Sequence, residues 1–100
     1  MNDTKSKKII FYGTQYCPDC MRAKAYLDSL DCEYEYINIA EDPSAAERVV
    51  EINKGFQSIP TIQLPDGTVL VEPSNEELSE ALKELGRRNL IICHKQIKDN

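Results

Sequence analysis

Lys8–Ile9–Ile10–Phe11–Tyr12–Gly13–Thr14–Gln15–Tyr16–Cys17–Pro18–Asp19–Cys20 reads as a strand, a short loop and the start of a helix. Lys8 to Tyr12 is short, apolar and β-branched, which suits a buried strand, and Gly13 ends it. Thr14–Gln15–Tyr16 is the loop. Pro18 opens the helix, because its missing N–H costs nothing at the first helical position. Met21, Ala25, Leu27 and Leu30 are expected to line one face of that helix, and Asp31 marks its exit.

Working outward, Glu33 to Ile39 alternates polar and apolar residues, the period of a strand with one buried face. Asp42–Pro43 is an N-cap followed by a first-turn proline; Ala46, Val49, Val50 and Ile52 continue that helix and Gly55 is its expected terminator. Thr61–Leu64 and Thr68–Val71 flank Pro65–Asp66–Gly67, a hairpin signal. Ser74–Asn75–Glu76–Glu77 fits a capping box. Leu78, Ala81, Leu82 and Leu85 give the last helix its face, with Gly86 expected to close it.

The order is β-α-β-α-β-β-α, an α/β arrangement with a four-stranded mixed sheet flanked by three helices. Both β-α-β steps are expected to be right-handed crossovers giving parallel pairs. Residues 1–100 read as a single domain, with a core at about 8–86 and a tail at 87–100 whose Leu90, Ile91 and Ile92 are expected to pack back on the domain.

The 100 residues suit one domain, and the net charge of −5 argues against a nucleic-acid partner. The polar start, Met1 to Lys8, lacks the apolar stretch of roughly 7–15 residues that a secretory signal needs. No segment approaches the ~20 apolar residues of a membrane span. The expectation is a cytoplasmic protein, monomeric and without a membrane partner. In that compartment a cysteine pair is more often catalytic or metal-binding than structural.

Cys17 and Cys20 are three apart on the first turn of a helix. Cys17 sits beside free backbone N–H groups and the positive end of the helix dipole, features that stabilise a thiolate. The strand–loop exit is expected to expose Cys17, which makes it the nucleophile that attacks a substrate disulfide, and Cys20, one turn in and more shielded, the resolving thiol. Asp19 suits the dipole but opposes a neighbouring thiolate. A zinc site built from Cys17, Cys20, Cys32 and either Cys93 or His94 is the structural alternative, although a lone CxxC does not establish one. Cys32 reads as a small packed residue, Cys93–His94 as a surface pair, and Tyr16 either as part of the substrate rim or as a cover on the core.

Tyr12 to Cys20, followed by Ala23–Lys24 and Leu27, resembles the active-site segment of glutaredoxins. Ser58–Ile59–Pro60–Thr61 resembles the segment that carries that family's cis-proline; Asn53–Lys54–Gly55 and Asp66–Gly67 also fit. The resemblance spans about residues 8–86. It implies a thioredoxin-like fold with Pro60 cis and opposite Cys17, and an Ile59 backbone that pairs with a bound thiol peptide. From the residues alone, Pro60 is either a locked bend or a trans proline that merely starts a strand.

The sequence departs from the family in two places. Many glutathione-using members carry a lysine three residues before the first cysteine, where this chain has Thr14. They also have a Gly–Gly pair leading into the last helix, where this chain has Val71–Glu72–Pro73–Ser74–Asn75. Ser74 and Asn75 can hold a ligand carboxylate at the helix N-terminus, but an N-cap is the preferred account of Ser74. The resemblance implies an oxidoreductase acting on disulfide-containing proteins or small-thiol substrates, with no bound cofactor or metal. The implied reductant is glutathione, another low-molecular-weight thiol such as mycothiol, or a reductase protein. An iron–sulfur carrier of the monothiol type is the rival, against which Cys20 and Pro18 count.

Overall fold

Residues 9–13 are apolar on both faces, and the chain places them in the interior of the sheet. The computed structural model describes residues 8–95; residues 1–7 and the end of the tail, 96–100, lie outside the described residues. The elements are β1 (Ile9–Gly13), α1 (Pro18–Ser29), β2 (Tyr34–Asn38), α2 (Pro43–Ile52), β3 (Thr61–Gln63), β4 (Val69–Val71) and α3 (Asn75–Arg87). The strands order as β2-β1-β3-β4. β1 pairs with β2 in parallel, and with β3 antiparallel; β3 and β4 form the antiparallel hairpin.

Only the first β-α-β step gives a parallel neighbour. After α2 the chain was expected to return in parallel, yet β3 runs against β1 and lies on its other side. The register supplies the reason. β2 ends with Asn38 opposite Gly13, and β3 begins with Thr61 opposite Tyr12, at the same end of the sheet. The eight residues between α2 and β3 can span ~26 Å when extended, enough to carry the chain back to the end it left.

Alternation along β1 divides the core. Ile9 and Phe11 join Ala23, Leu27, Leu78, Leu82 and Leu85 in a cluster between the sheet and the α1/α3 layer. Tyr12 packs with Ile39, Ala45 and Val49 under α2 on the opposite face. Each fully buried leucine or isoleucine here stabilises the fold by about 1.5–3 kcal/mol relative to exposure. The buried stripe of α1 is Cys20, Ala23, Leu27 and Leu30, with Ala25 exposed rather than on the core face. The stripe spacing of three, four and three keeps these four on one side.

The helix caps differ between their two ends. Pro18 and Pro43 occupy first turns as expected, and Asp42 and Ser74 cap α2 and α3, Ser74 within a complete capping box. At the C-termini Asp31 closes α1 as expected, whereas the expected Gly55 and Gly86 are not the left-handed residues that end α2 and α3. The left-handed closing residues are Asp31 (φ 53°), Lys54 (φ 57°) and Asn89 (φ 59°). Each is followed by an N–H that reaches back five residues: Cys32 to Leu27, Gly55 to Val50 and Leu90 to Leu85. These are Schellman closures, and Asp and Asn tolerate the left-handed conformation better than most side chains. Gly86 therefore lies inside α3 and Gly55 follows the left-handed Lys54, itself at φ 115°.

The tail departs furthest from expectation. Cys32 is packed in the core as expected, but Cys93 is not a surface partner of His94: the two cysteines are joined in a disulfide across 61 residues. Ile91 is buried, and Leu90 and Cys93 pack against the same core cluster. Nothing local in the sequence signals this, because the pairing depends on where α3 delivers the chain.

Candidate active site

The strand-to-helix turn after β1 builds the site. Cys17 has extended backbone (φ −105°, ψ 110°) and is itself the N-cap of α1. Its sulfur accepts the Cys20 N–H at 3.1 Å, so the side chain does what a serine or aspartate does at other helix starts. Cys17 is half-buried and Cys20 fully buried, and neither is in a disulfide.

Burial pushes the Cys20 thiol up to about 12, with further upward contributions from its hydrogen bond and charge interaction with Cys17 and from Asp19, against a lowering contribution from the Thr14 backbone. Two of these contributions come from Cys17 itself. Both depend on the Cys17 sulfur being charged and able to accept a proton.

Gly13, read from sequence only as a strand end, shapes the pocket of Cys20. A Cβ at Gly13 would stand 2.9 Å from Cys20 Sγ and 2.9 Å from the Phe11 ring. Only a residue without a side chain lets α1 approach β1 this closely. The Tyr36 hydroxyl is buried without a hydrogen-bond partner among the described residues. Burial raises its pKa first, and the nearby Cys20 and Cys17 add to that. Its ring packs tilted against Phe11, centroids 5.2 Å apart, and has the Lys24 ammonium 5.9 Å from its centroid.

Arg22 was not singled out from the sequence. Its guanidinium binds Asp19 Oδ1, Asn75 Oδ1 at 2.8 Å and the Pro73 carbonyl at 2.8 Å. It ties the first turn of α1 to the start of α3 and pairs the Asp19 carboxylate beside the thiols. The signal that could have found it is the i,i+3 spacing of Asp19 and Arg22. Arg22→Met should lower stability by about 0.5–1.5 kcal/mol, given three bonds on a partly exposed side chain. Freeing Asp19 should also slow alkylation of Cys17 at neutral pH, and adding Asp19→Asn should restore the rate. A denaturant midpoint and an iodoacetamide rate measure the two effects; a double variant as slow as Arg22→Met contradicts the electrostatic account.

The other residues singled out from sequence divide into two groups. Thr14 Oγ1 accepts the Tyr16 N–H at 3.2 Å, and Tyr16 is 77% exposed beside Cys17. The Ile59–Pro60 bond is cis and Pro60 is buried. The Thr61 hydroxyl donates to the Ser58 carbonyl and accepts from Asn53 Nδ2, which ties the loop before β3 to the end of α2. Among the described residues Ile59 enters no backbone hydrogen bond. Ser74 is occupied by its capping box with Glu77, and Asn75 offers its side-chain oxygen to Arg22. The zinc set weighed from sequence is divided: Cys17 and Cys20 start α1, whereas Cys32 and Cys93 lie past its other end and are bonded to each other. Among the described residues no group of three or more His, Cys, Asp and Glu is placed to hold a metal ion.

Residues 9–71 match the family model for glutaredoxin. The chain belongs to the glutaredoxin family. This glutaredoxin is 31% identical over 77 residues to mycoredoxin 1 of Corynebacterium glutamicum, covering 77% of this chain and 95% of that protein. Among solved structures it is similar to the glutaredoxin of Archaeoglobus fulgidus, with a TM-score of 0.66 and 25% identity over 76% of this chain and 86% of that one. It is also similar to the thioredoxin-like protein BC3987, with a TM-score of 0.65 and 29% identity over 73% of this chain and 97% of that one. Family and fold are those of thiol–disulfide oxidoreductases, which draw on glutathione- or mycothiol-type thiols. Among the described residues, no helix is long and apolar enough to cross a membrane.

Proposed function

We propose that this glutaredoxin is a dithiol oxidoreductase, with Cys17 as nucleophile and Cys20 as resolving thiol, acting on protein disulfides and mixed disulfides of low-molecular-weight thiols. The observation that carries this reading is the pairing of a half-buried sulfur at the N-cap of α1 with a fully buried thiol one turn inward. Cys17 attacks the substrate disulfide, forms a mixed disulfide and releases one thiol; Cys20 then attacks the Cys17 sulfur and releases the second. Tyr16, Pro18, Asp19 and Pro60 shape the site in this reading, and the Ile59 backbone pairs with the substrate peptide.

The reductant proposed is a small thiol of the glutathione or mycothiol class. The likeness to a mycoredoxin supports that class. With Thr14 in the place of a lysine, Arg22 of the thiol helix is a cation at the start of α3, bonded to Asn75 and the Pro73 carbonyl, and Arg22, Ser74 and Asn75 are proposed to receive a ligand carboxylate. The protein is proposed to work as a cytoplasmic monomer with no nucleic-acid or membrane partner.

A reductant panel tests the reading. The oxidised protein is offered glutathione with its reductase, mycothiol with its reductase, and thioredoxin reductase. Turnover is expected with at least one small thiol, and Cys20→Ser is expected to keep activity on a small-thiol mixed disulfide while losing it on a protein disulfide. Activity with thioredoxin reductase alone overturns the reductant assignment. A brown anaerobic preparation with visible absorbance, and no turnover, favours a cluster carrier instead.

A further inference from the structure

The second cysteine pair sits where the C-terminal segment crosses the far end of α1. Cys32 follows the Schellman turn that closes the helix, its N–H bound to the Leu27 carbonyl at 3.2 Å. The segment 92–95 runs antiparallel to 30–33. Glu33 N–H donates to the Ile92 carbonyl at 2.8 Å, and His94 and Lys95 N–H donate to the carbonyls of Asp31 and Leu30, both at 3.0 Å. Cys32 and Cys93 face each other in this short ladder with Cα atoms 3.8 Å apart. His94 Nε2 lies 3.2 Å from Glu33 Oε2 beside them. The tail thus supplies donors to carbonyls at the end of α1, which has no basic residue in its last turn to do so.

The two redox pairs cannot exchange electrons within one molecule. Fifteen residues separate Cys17 from Cys32, most of them helical, a distance of ~20 Å along the axis. Thiol–disulfide exchange requires sulfur atoms in contact. The Cys32–Cys93 bond must therefore be made and broken from outside. Its two sulfur-bearing residues are unequal in access: Cys32 is 8% exposed, and Cys93 is only partly buried. Cys32 lies within residues 9–71, the segment that matches the family model, and Cys93 lies beyond it.

We propose that Cys32 and Cys93 form a second redox site, independent of Cys17 and Cys20, that exchanges with low-molecular-weight thiols at the Cys93 sulfur and so latches or releases the C-terminal segment. An incoming thiolate attacks Cys93, breaking its bond to Cys32, which leaves as a thiolate and takes up a proton. A second thiolate attacks the sulfur of the bound small thiol, freeing Cys93 and giving the small disulfide. In sum, two small thiols lose two electrons and two protons, and the clasp gains them. The reverse, with the small disulfide as oxidant, closes the clasp. When it opens, the segment is held by three backbone hydrogen bonds, the His94–Glu33 contact and the packing of Leu90 and Ile91.

The test uses the full chain carrying Cys17→Ser and Cys20→Ser, so that Cys32 and Cys93 are the cysteines that remain. The protein is equilibrated with graded mixtures of glutathione and glutathione disulfide, quenched in acid, alkylated and weighed intact. One cooperative passage from no label to two labels is expected across the series. Hydrogen exchange at the amides of Glu33, His94 and Lys95 is expected to speed up by about tenfold or more in the reduced form. In wild type, peptide mapping of the 32 and 93 peptides under the same mixtures should give the same passage without any substitution. A bond that stays closed in every mixture while the protein remains folded overturns the proposal, as do thiols that never pair in excess disulfide. Equal hydrogen exchange in the two forms overturns the latch.

Discussion

Cys17→Ser is expected to abolish turnover on every disulfide substrate, a loss on the order of 10³-fold or more, as follows from removing a covalent nucleophile. The serine hydroxyl keeps the N-cap, since an oxygen in this position accepts the Cys20 N–H as well as sulfur does. The fold and stability should therefore hardly change, and the loss is chemical. A serine hydroxyl is a weak nucleophile and a poor leaving group in disulfide exchange, whereas sulfur is intrinsically suited to both. Cys20 cannot take over, because it is fully buried and its thiol is pushed up to about 12. Steady-state reduction of a small mixed disulfide, alongside thermal unfolding, measures both halves. A Cys17→Ser protein that retains full activity would overturn the assignment of the nucleophile.

Gly13→Ala is expected to have the largest effect among substitutions outside the cysteines. The added methyl would meet Cys20 Sγ and Phe11 Cε1 at 2.9 Å each, and both neighbours are fully buried. Neither can swing into solvent, so α1 must move off the sheet or Phe11 must leave its place in the core. Overpacking of this kind costs about 1–3 kcal/mol, a substantial part of the margin of a chain this size. The same displacement shifts Cys20 relative to Cys17, so resolution of the mixed disulfide should slow more than the first attack. Denaturant melts and stopped-flow separation of the two steps give the comparison. If stability and both rates are unchanged, the close approach of α1 to β1 at Gly13 is not what places Cys20.

Much of the local structure was legible because it is encoded within a few residues. Pro18 and Pro43 open their helices, Asp42 and Ser74 cap theirs, and Pro65–Asp66–Gly67 turns the hairpin. The helix ends were harder to read. A left-handed closing residue needs no glycine when Asp, Lys or Asn is held there by two backbone bonds, so the glycines pointed to neighbouring positions. The direction of β3 was misread for a related reason. Strand periodicity carries no sign, and the eight residues before β3 reverse the chain without leaving a pattern.

The thiol site was legible in its position and incomplete in its surroundings. By itself the sequence determined that Cys17 and Cys20 share the first turn of a helix after a buried strand, because strand, loop, proline and cysteine spacing all lie within thirteen consecutive residues. Only the tertiary structure decided what stands around them. Arg22 reaches Pro73 and Asn75 more than fifty residues away, the ring of Tyr36 arrives from a neighbouring strand, and Gly13 matters through a helix that starts five residues later. The fate of Cys32 and Cys93 was decided the same way. Sixty-one residues separate them, and contact across such a distance is set by the packing of α1 and α3 on the sheet, which no spacing or periodicity along the chain records.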